Sequence, residues 1–387
     1  MNNKPRKILY IQRPTGGGST ISLYELTKGL DTTKYKPIIL FFKKNQYVEK
    51  FNTAGIKTLT LDISKKRKQS VISKIYQLIA DILLSLHIAF ILKREKIDLV
   101  HMNLGLDRPT MLASILTKTP QICHFRMFST NIPYTSKKLA TFVSAFLYIS
   151  NVIAKRQNNL GLPLNKGHVI YNPFDKAIFQ HIKNDEINSL YEEFGLKKTD
   201  VLISNVGRLD SWKGQDYFLK AFAKVLKTHP NTKALIVGDY GKTSQEGILY
   251  YEHLQNLTKE LNISKHVIFT GHRFDIPQIM VASDIVVHSA SKPEPFGRVI
   301  VEAMLAETPI IATAAGGVLE IIEDQVNGIL IPLENITSMA DAMQRIMENP
   351  EKSQKMAKLA KKYAQEKFSV QQHVMAVENI YQTVLTK

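Results

Sequence analysis

Glu294 and Glu302 stand eight residues apart in Glu294-Pro-Phe-Gly-Arg-Val-Ile-Val-Glu302, with a turn dipeptide and a glycine at the first and an apolar run leading to the second. If that run opens a helix near Phe296, Glu294 lies in the entering loop and Glu302 less than two turns in. A helix start presents free N–H groups and the positive end of a dipole, which suits an anion. The two acids cannot ligate that anion. Carboxylates accept hydrogen bonds and so suit hydroxyl groups. A polyhydroxylated molecule that also carries phosphate, such as a sugar nucleotide, meets both demands. An acidic helix start with one exposed glutamate is the other reading, and the neighbouring motifs decide between the two.

The cations that such a ligand needs are in Val206-Gly207-Arg208-Leu209-Asp210-Ser211-Trp212-Lys213-Gly214. A guanidinium binds phosphate oxygens bidentately and an ammonium acts as a point charge, so Arg208 and Lys213 could together neutralise a diphosphate. Two surface cations in a loop is the plainer alternative. Gly16-Gly17-Gly18-Ser19 lets backbone approach a ligand ahead of a helix. It matches neither the dinucleotide fingerprint nor a P-loop. Further polar or glycine-rich turns follow at Gly238-Asp239, Gly271-His272, His288-Ser-Ala-Ser291 and Thr313-Ala-Ala-Gly316-Gly317.

Elements that place these turns are legible as short apolar, β-branched runs alternating with helical stretches. Strands are expected at 7–12, 37–42, 98–102, 121–124, 146–149 and 168–171, then at 201–206, 234–237, 266–270, 284–288, 310–313 and 328–331. Helices are expected at 20–30, 70–94, 108–117 and 136–145 between the first strands. Continuous apolar strands alternating with helices imply parallel sheets covered on both faces. Two such series imply an α/β chain of two Rossmann-like, doubly wound domains, with ligand at the strands' carboxyl ends. The polar stretch 172–198 marks the boundary, giving domains of residues 1–172 and 173–369. A last helix in 370–387 is an extra for the second domain, able to cross back to the first.

At 387 residues the chain suits two cores, each of roughly 150–200 residues. One cysteine, Cys123, excludes an intramolecular disulfide framework and a multi-cysteine zinc site, which fits a reducing cytoplasm. The apolar run after the basic start ends at Ile11, too short for a signal peptide, so the expectation is a protein that is not exported. The net charge is +17, and it is one-sided: residues 1–170 hold 27 Lys and Arg against 8 Asp and Glu, residues 171–387 hold 24 against 26. Such a field implies an anionic partner, and the lack of any nucleic-acid-binding signature favours an anionic membrane surface over nucleic acid. Lys65-Lys-Arg-Lys68 precedes the apolar run 75–92, which Lys93-Arg94 closes. Asp81, Ser85 and His87 interrupt the run, so it does not read as a transmembrane span. It is either a helix lying in the headgroup region or a core helix packed on a sheet.

With these pieces in order, the chain resembles the retaining glycosyltransferases of family 4, which have the GT-B fold. The resemblance rests on Gly16–Gly18, Tyr171-Asn-Pro-Phe-Asp175, Gly207-Arg208 with Lys213-Gly214, and Glu294–Glu302 with Gly316-Gly317. It implies two Rossmann-like domains facing across a cleft, the first for the acceptor and the second for a nucleotide-sugar donor. It also implies a closing helix that returns to the first domain. By the same resemblance, Arg208 and Lys213 bind the donor diphosphate, Glu294 contacts sugar hydroxyls with the N–H groups of Phe296 and Gly297 assisting, and Glu302 binds the ribose. Gly17 and Gly18, with Gly207, Gly316 and Gly317, complete the donor site. The family places a histidine in the acceptor-side loop. Here His124, Arg126 and His101 compete for that role, and His124 is expected among the catalytic residues. No Asp-x-Asp metal site is present, so neither metal nor cofactor is expected. The implied activity is metal-independent, retaining transfer of a hexose from a UDP- or GDP-sugar to a lipid-linked or nascent glycan. It belongs to cell-surface polysaccharide synthesis, by a cytoplasmic protein peripheral on the inner membrane face. A nucleotide-sugar 2-epimerase of the same fold is the alternative, and nucleic acid is not expected as a partner.

Overall fold

The computed structural model describes residues 4–14, 17–61, 71–241 and 244–386. Gly16 and the basic cluster 65–68 lie outside these described residues. The chain divides into one unit of Met1–Pro173 with Val370–Lys387 and another of Phe174–Ser369.

In the first unit the strands are β1 (Arg6–Gln12), β2 (Tyr35–Phe41), β3 (Lys57–Thr60), β4 (Leu99–Met102), β5 (Gln121–Phe125), β6 (Ala145–Tyr148) and β7 (Gly167–Val169). They lie in the order β3-β2-β1-β4-β5-β6-β7, every neighbouring pair parallel. The order reverses direction between β1 and β4, the point where a doubly wound sheet opens a crevice. β3 was not expected from sequence. Its Lys-Thr-Leu-Thr has no apolar run, because an edge strand needs only one buried neighbour.

Ile8 and Tyr10 of β1 share a core with Leu99, Ile122 and Leu147 beneath the helices Gly17–Gly29 and Val370–Leu385. The closing helix lies close because helix Gly17–Gly29 ends in glycine: a Cβ on Gly29 would come 2.8 Å from Val374 Cγ2. Glu378 adds polar register by accepting the Asp31 N–H at 2.8 Å.

The second unit builds β8 (Val201–Val206), β9 (Thr232–Val237), β10 (Val267–Gly271), β11 (Ile285–His288), β12 (Ile310–Thr313) and β13 (Ile329–Ile331). The sheet order is β10-β9-β8-β11-β12-β13, again parallel throughout, with its reversal between β8 and β11. Alternate residues serve opposite faces, as the two-residue period of a strand requires. Ile203 and Ile236 pack with the helices Gln215–Val225 and Ile336–Glu348. Leu202 and Leu235 pack with the helices Asn184–Glu193 and Ile276–Ala282. Both faces are covered, which is why these strands carry unbroken apolar runs.

Candidate active site

In the second unit the turns singled out from sequence all leave the carboxyl ends of strands in one sheet. Gly207 follows β8, Gly238 follows β9, Gly271 ends β10, His288 ends β11 and Thr313 ends β12. Those after β8 and β11 flank the reversal point. Asn205 of β8 donates to Val287 O and Ser289 Oγ, each at 2.9 Å, and Ser289 Oγ donates to Lys213 O at 2.9 Å. The Ser291 N–H reaches Trp212 O at 2.9 Å, so the loop carrying Lys213 is tied to the loop leading to Glu294. Gly214 makes this approach possible: its φ is +67°, and a Cβ there would sit 2.1 Å from Ser289 O.

The tie delivers Lys213 Nζ to Glu294 Oε2 at 2.7 Å, with His288 Nε2 on the same oxygen at 3.3 Å. Lys213 Nζ also lies 4.0 Å from the Trp212 ring centroid, a cation–π contact. Burial pushes the Glu294 carboxyl up, but the Lys213 ammonium and the His288 hydrogen bond outweigh it and hold the pKa at about 2. The carboxyl is therefore ionised at neutral pH and acts as a hydrogen-bond acceptor, not as a proton donor. Gly316 and Gly317 fix Glu294 from the other side. Gly317 N donates to Glu294 O at 2.7 Å, and a Cβ on Gly316 would lie 2.3 Å from that oxygen.

The helix spans Arg298–Leu305, with Gly297 at φ +107° ahead of it, so it opens two residues beyond Phe296. Phe296 is a core residue, stacked with Phe174 and edge-on to Phe368. Glu302 is one turn in, where it accepts from Arg298 at 3.2 Å; the Arg298 guanidinium lies over the Phe174 ring. The Arg208 side chain is 61% exposed and pairs with Asp210 at 2.7 Å. Gly207 meets no close backbone; the glycine required there is Gly238, whose Cβ would clash with Gly207 O at 1.9 Å. His288 is the member that sequence reasoning did not assign. The signal for it was its position as the last residue of β11, six before Glu294.

In the first unit a second polar cluster occupies the reversal point of the other sheet. Gln12 Oε1 accepts from Asn103 at 2.7 Å, Asn103 Oδ1 accepts from Arg126 Nε at 2.8 Å, and Arg126 also donates to Asn172. Ser22 joins through Asn172 at 3.3 Å. Gly17 and Gly18 open the adjoining helix, and Gly18 O accepts from Ser22 Oγ. Beside this cluster runs an aromatic row of Tyr10, His101, His124 and His373, with ring centroids 5.0, 5.5 and 6.2 Å apart. Tyr381 Oη bridges Tyr10 Oη at 2.7 Å and His101 Nδ1 at 2.6 Å.

His124, expected among the catalytic residues, is fully buried in the first unit. Arg126 donates to its Nδ1 at 3.3 Å, and an arginine can only donate, so Nδ1 holds a lone pair and the ring is neutral. Burial, then the Arg126 charge, hold its pKa well below the usual histidine value. His101 is equally buried, and burial likewise pushes it down. Of the three competitors Arg126 alone retains some exposure. Among the described residues no group of three or more histidine, cysteine or acidic side chains is placed to hold a metal ion.

The sequence profile of the family described as glycosyl transferases group 1 matches residues 187–363, which hold Arg208, Lys213, His288, Glu294 and Glu302. That match covers less than half of the chain and falls within the second unit. An uncharacterized glycosyltransferase of Methanocaldococcus jannaschii is 30% identical over 226 residues, 58% of this chain and 55% of that one. The chain thus spans about half the length of the curated relatives it matches. Anabaena HepE, crystallised with UDP and glucose, is 25% identical, covers 98% of this chain and 100% of its own, and superposes with a TM-score of 0.83. A glycosyltransferase from Rickettsia africae shares the fold at a TM-score of 0.87, with 21% identity over 99% of both chains. The two parallel-sheet, Rossmann-like units are those of the GT-B architecture.

Proposed function

We propose that the chain is a retaining glycosyltransferase of family 4 that moves a hexose from a nucleotide-sugar to a lipid-linked or nascent glycan acceptor. The observation that carries this reading is the Lys213–Glu294–His288 cluster at the reversal point of the second sheet. Lys213 has three N–H donors and spends one on Glu294, leaving two for the diphosphate of a donor. Glu294, ionised and held by Gly317, offers its other oxygen to sugar hydroxyls. Arg208 leaves an exposed ion pair worth about 0–1 kcal/mol, so swinging it from Asp210 to a phosphate costs little. Glu302, already oriented by Arg298, takes the ribose hydroxyls.

As the glycosidic bond breaks, negative charge accumulates on the leaving diphosphate. Cations held at that position stabilise the transition state more than the ground state, Lys213 from the outset and Arg208 once it has left Asp210. This assigns the neutralising role to Lys213 and Arg208 without a metal ion. Retention follows from same-face attack with the departing phosphate as base, a step that rests on the family resemblance. Solved complexes of HepE with UDP and glucose, with UDP-glucose and with UDP weigh toward a UDP-sugar donor. The first unit is assigned to the acceptor.

The test is nucleoside diphosphate release from UDP-, GDP- and ADP-hexoses, with product analysis by chromatography and Glu294→Ala and Lys213→Ala as controls. One donor should be turned over, and each variant should lose at least about 100-fold in kcat/KM. Undiminished turnover in both variants would remove the site assignment. An epimerised nucleotide-sugar formed from donor alone would replace transfer with isomerisation.

A further inference from the structure

The helix Val71–Glu95 has two unlike faces. Asp81, Ser85, Ile88 and Leu92 are buried in the first unit, and Asp81 is taken up by Arg108 of the neighbouring helix Arg108–Thr117. Opposite them Tyr76, Ile79, Leu83, Leu86 and Phe90 follow at three- and four-residue steps, each 49–69% exposed. An unbroken stripe of large apolar side chains facing water is unusual in a monomeric protein and marks a surface that something else covers.

The charge pattern says what covers it. Between residues 71 and 170 the sequence holds twelve Lys and Arg against four acids, Asp81, Glu95, Asp98 and Asp107. All four acids are consumed in ion pairs, with Arg108, Lys57, Arg6 and Arg13 respectively. Lys93 and Lys96, at the end of the striped helix, are exposed. Leu116 and Lys118 repeat the pairing of exposed apolar and cationic side chains at the end of the next helix. No carboxylate of these helices is left to repel an anion. A second copy of the chain would bring an equally cationic surface against this one, which electrostatics opposes. No described helix is long and apolar enough to cross a membrane.

We propose that the exposed face of Val71–Glu95 docks on an anionic lipid bilayer, with Tyr76, Leu83, Leu86 and Phe90 in the headgroup–acyl boundary and Lys93 and Lys96 on the lipid phosphates. The geometry is that of an interfacial amphipathic helix, in which apolar burial supplies affinity and surface cations select the anionic leaflet. The surface lies in the first unit, so a sugar acceptor anchored in that leaflet would be held at the unit assigned to acceptors. The inference itself does not depend on the transfer reading.

The experiment is co-flotation of the full chain with phosphatidylcholine vesicles, with and without about 30% phosphatidylglycerol. Partition should favour the anionic vesicles. It should fall at least about tenfold in the Leu83→Gln/Leu86→Gln variant, and about fivefold or more in Lys93→Glu/Lys96→Glu. Circular dichroism and thermal melting show that each variant is folded. Equal partition into both vesicle types, or into neither, overturns the proposal. So does a concentration-dependent dimer of the parent chain that Leu83→Gln/Leu86→Gln dissolves while vesicle binding is unchanged, which would assign the face to a second copy. Donor turnover is measured in detergent-free solution, so failure of flotation and failure of the transfer reading are separately visible.

Discussion

Lys213 Nζ and Glu294 Oε2 meet at 2.7 Å across 81 residues of sequence, each delivered by the strand on its own side of the sheet's reversal point. Both side chains are mostly buried, so removing one partner leaves the other charge with poor solvation. Lys213→Ala should therefore destabilise the second unit by about 3 kcal/mol as well as abolish turnover. The Lys213→Met/Glu294→Gln double variant should be equally inactive yet recover much of that stability. Urea titration of the set checks this; additive losses in stability would mean that the pair is not coupled.

Gly316 tests how tightly Glu294 is placed. At φ +70° and ψ −138°, with the Glu294 backbone within 2.3 Å of any added Cβ, alanine has no room and the wrong conformation. Gly316→Ala should cost about 2–3 kcal/mol and lower kcat far more than it raises the donor KM. A variant with unchanged melting and turnover would show that the loop relaxes freely.

Arg208 behaves differently, because it is exposed and its Asp210 pair is superficial. Arg208→Ala should leave the unfolding free energy within about 0.5 kcal/mol of the parent while weakening UDP binding about tenfold. Isothermal titration with UDP decides the matter. Binding as tight as the parent's would leave Arg208 outside the donor site.

Acid should unfold the first unit before it unfolds the second. Burial keeps His101, His124 and His373 neutral, lowering each below the ordinary 6.5, His373 to about 3. Their folded-state values are depressed, so the unfolded chain binds the extra protons. Stability is complete above pH 6.5 and is lost as pH falls below it, by up to about 1.4 kcal/mol per pH unit for each ring. Glu294 is also depressed, from 4.5 to about 2, so its contribution is lost only as pH falls below 4.5. Melting temperature followed from pH 8 to 4 should bend near 6.5, and His124→Phe should flatten that first limb. A flat profile down to pH 5 would refute it.

The closing helix offers the last check. Tyr381 Oη hydrogen-bonds both Tyr10 and His101 in a buried setting, and His373 Nδ1 donates to Tyr171 O at 2.6 Å. Tyr381→Phe leaves two buried polar groups without their partner and should cost about 2–3 kcal/mol. Hydrogen exchange along 370–385 should rise in that variant. Protection equal to the parent's would mean that apolar packing alone docks the helix.

Local chemistry settled much of this protein before any coordinates. Unbroken apolar strands dictated two parallel sheets, because a strand buried on both faces tolerates nothing else. Glycine and polar turns at the strands' carboxyl ends marked where Arg208, Lys213 and Glu294 would stand. The stripe and the acids of helix Val71–Glu95 were also on view, but periodicity could not say which face the fold would cover. Only the tertiary structure showed Asp81 turned inward to Arg108 and Leu83 turned out. It alone paired Arg208 with Asp210, enlisted His288, and sank His124 into a row completed by His373, 249 residues later. Those outcomes depend on strand order and on which side chains meet across it. Partners brought together from distant strands leave no spacing in the chain that could announce them.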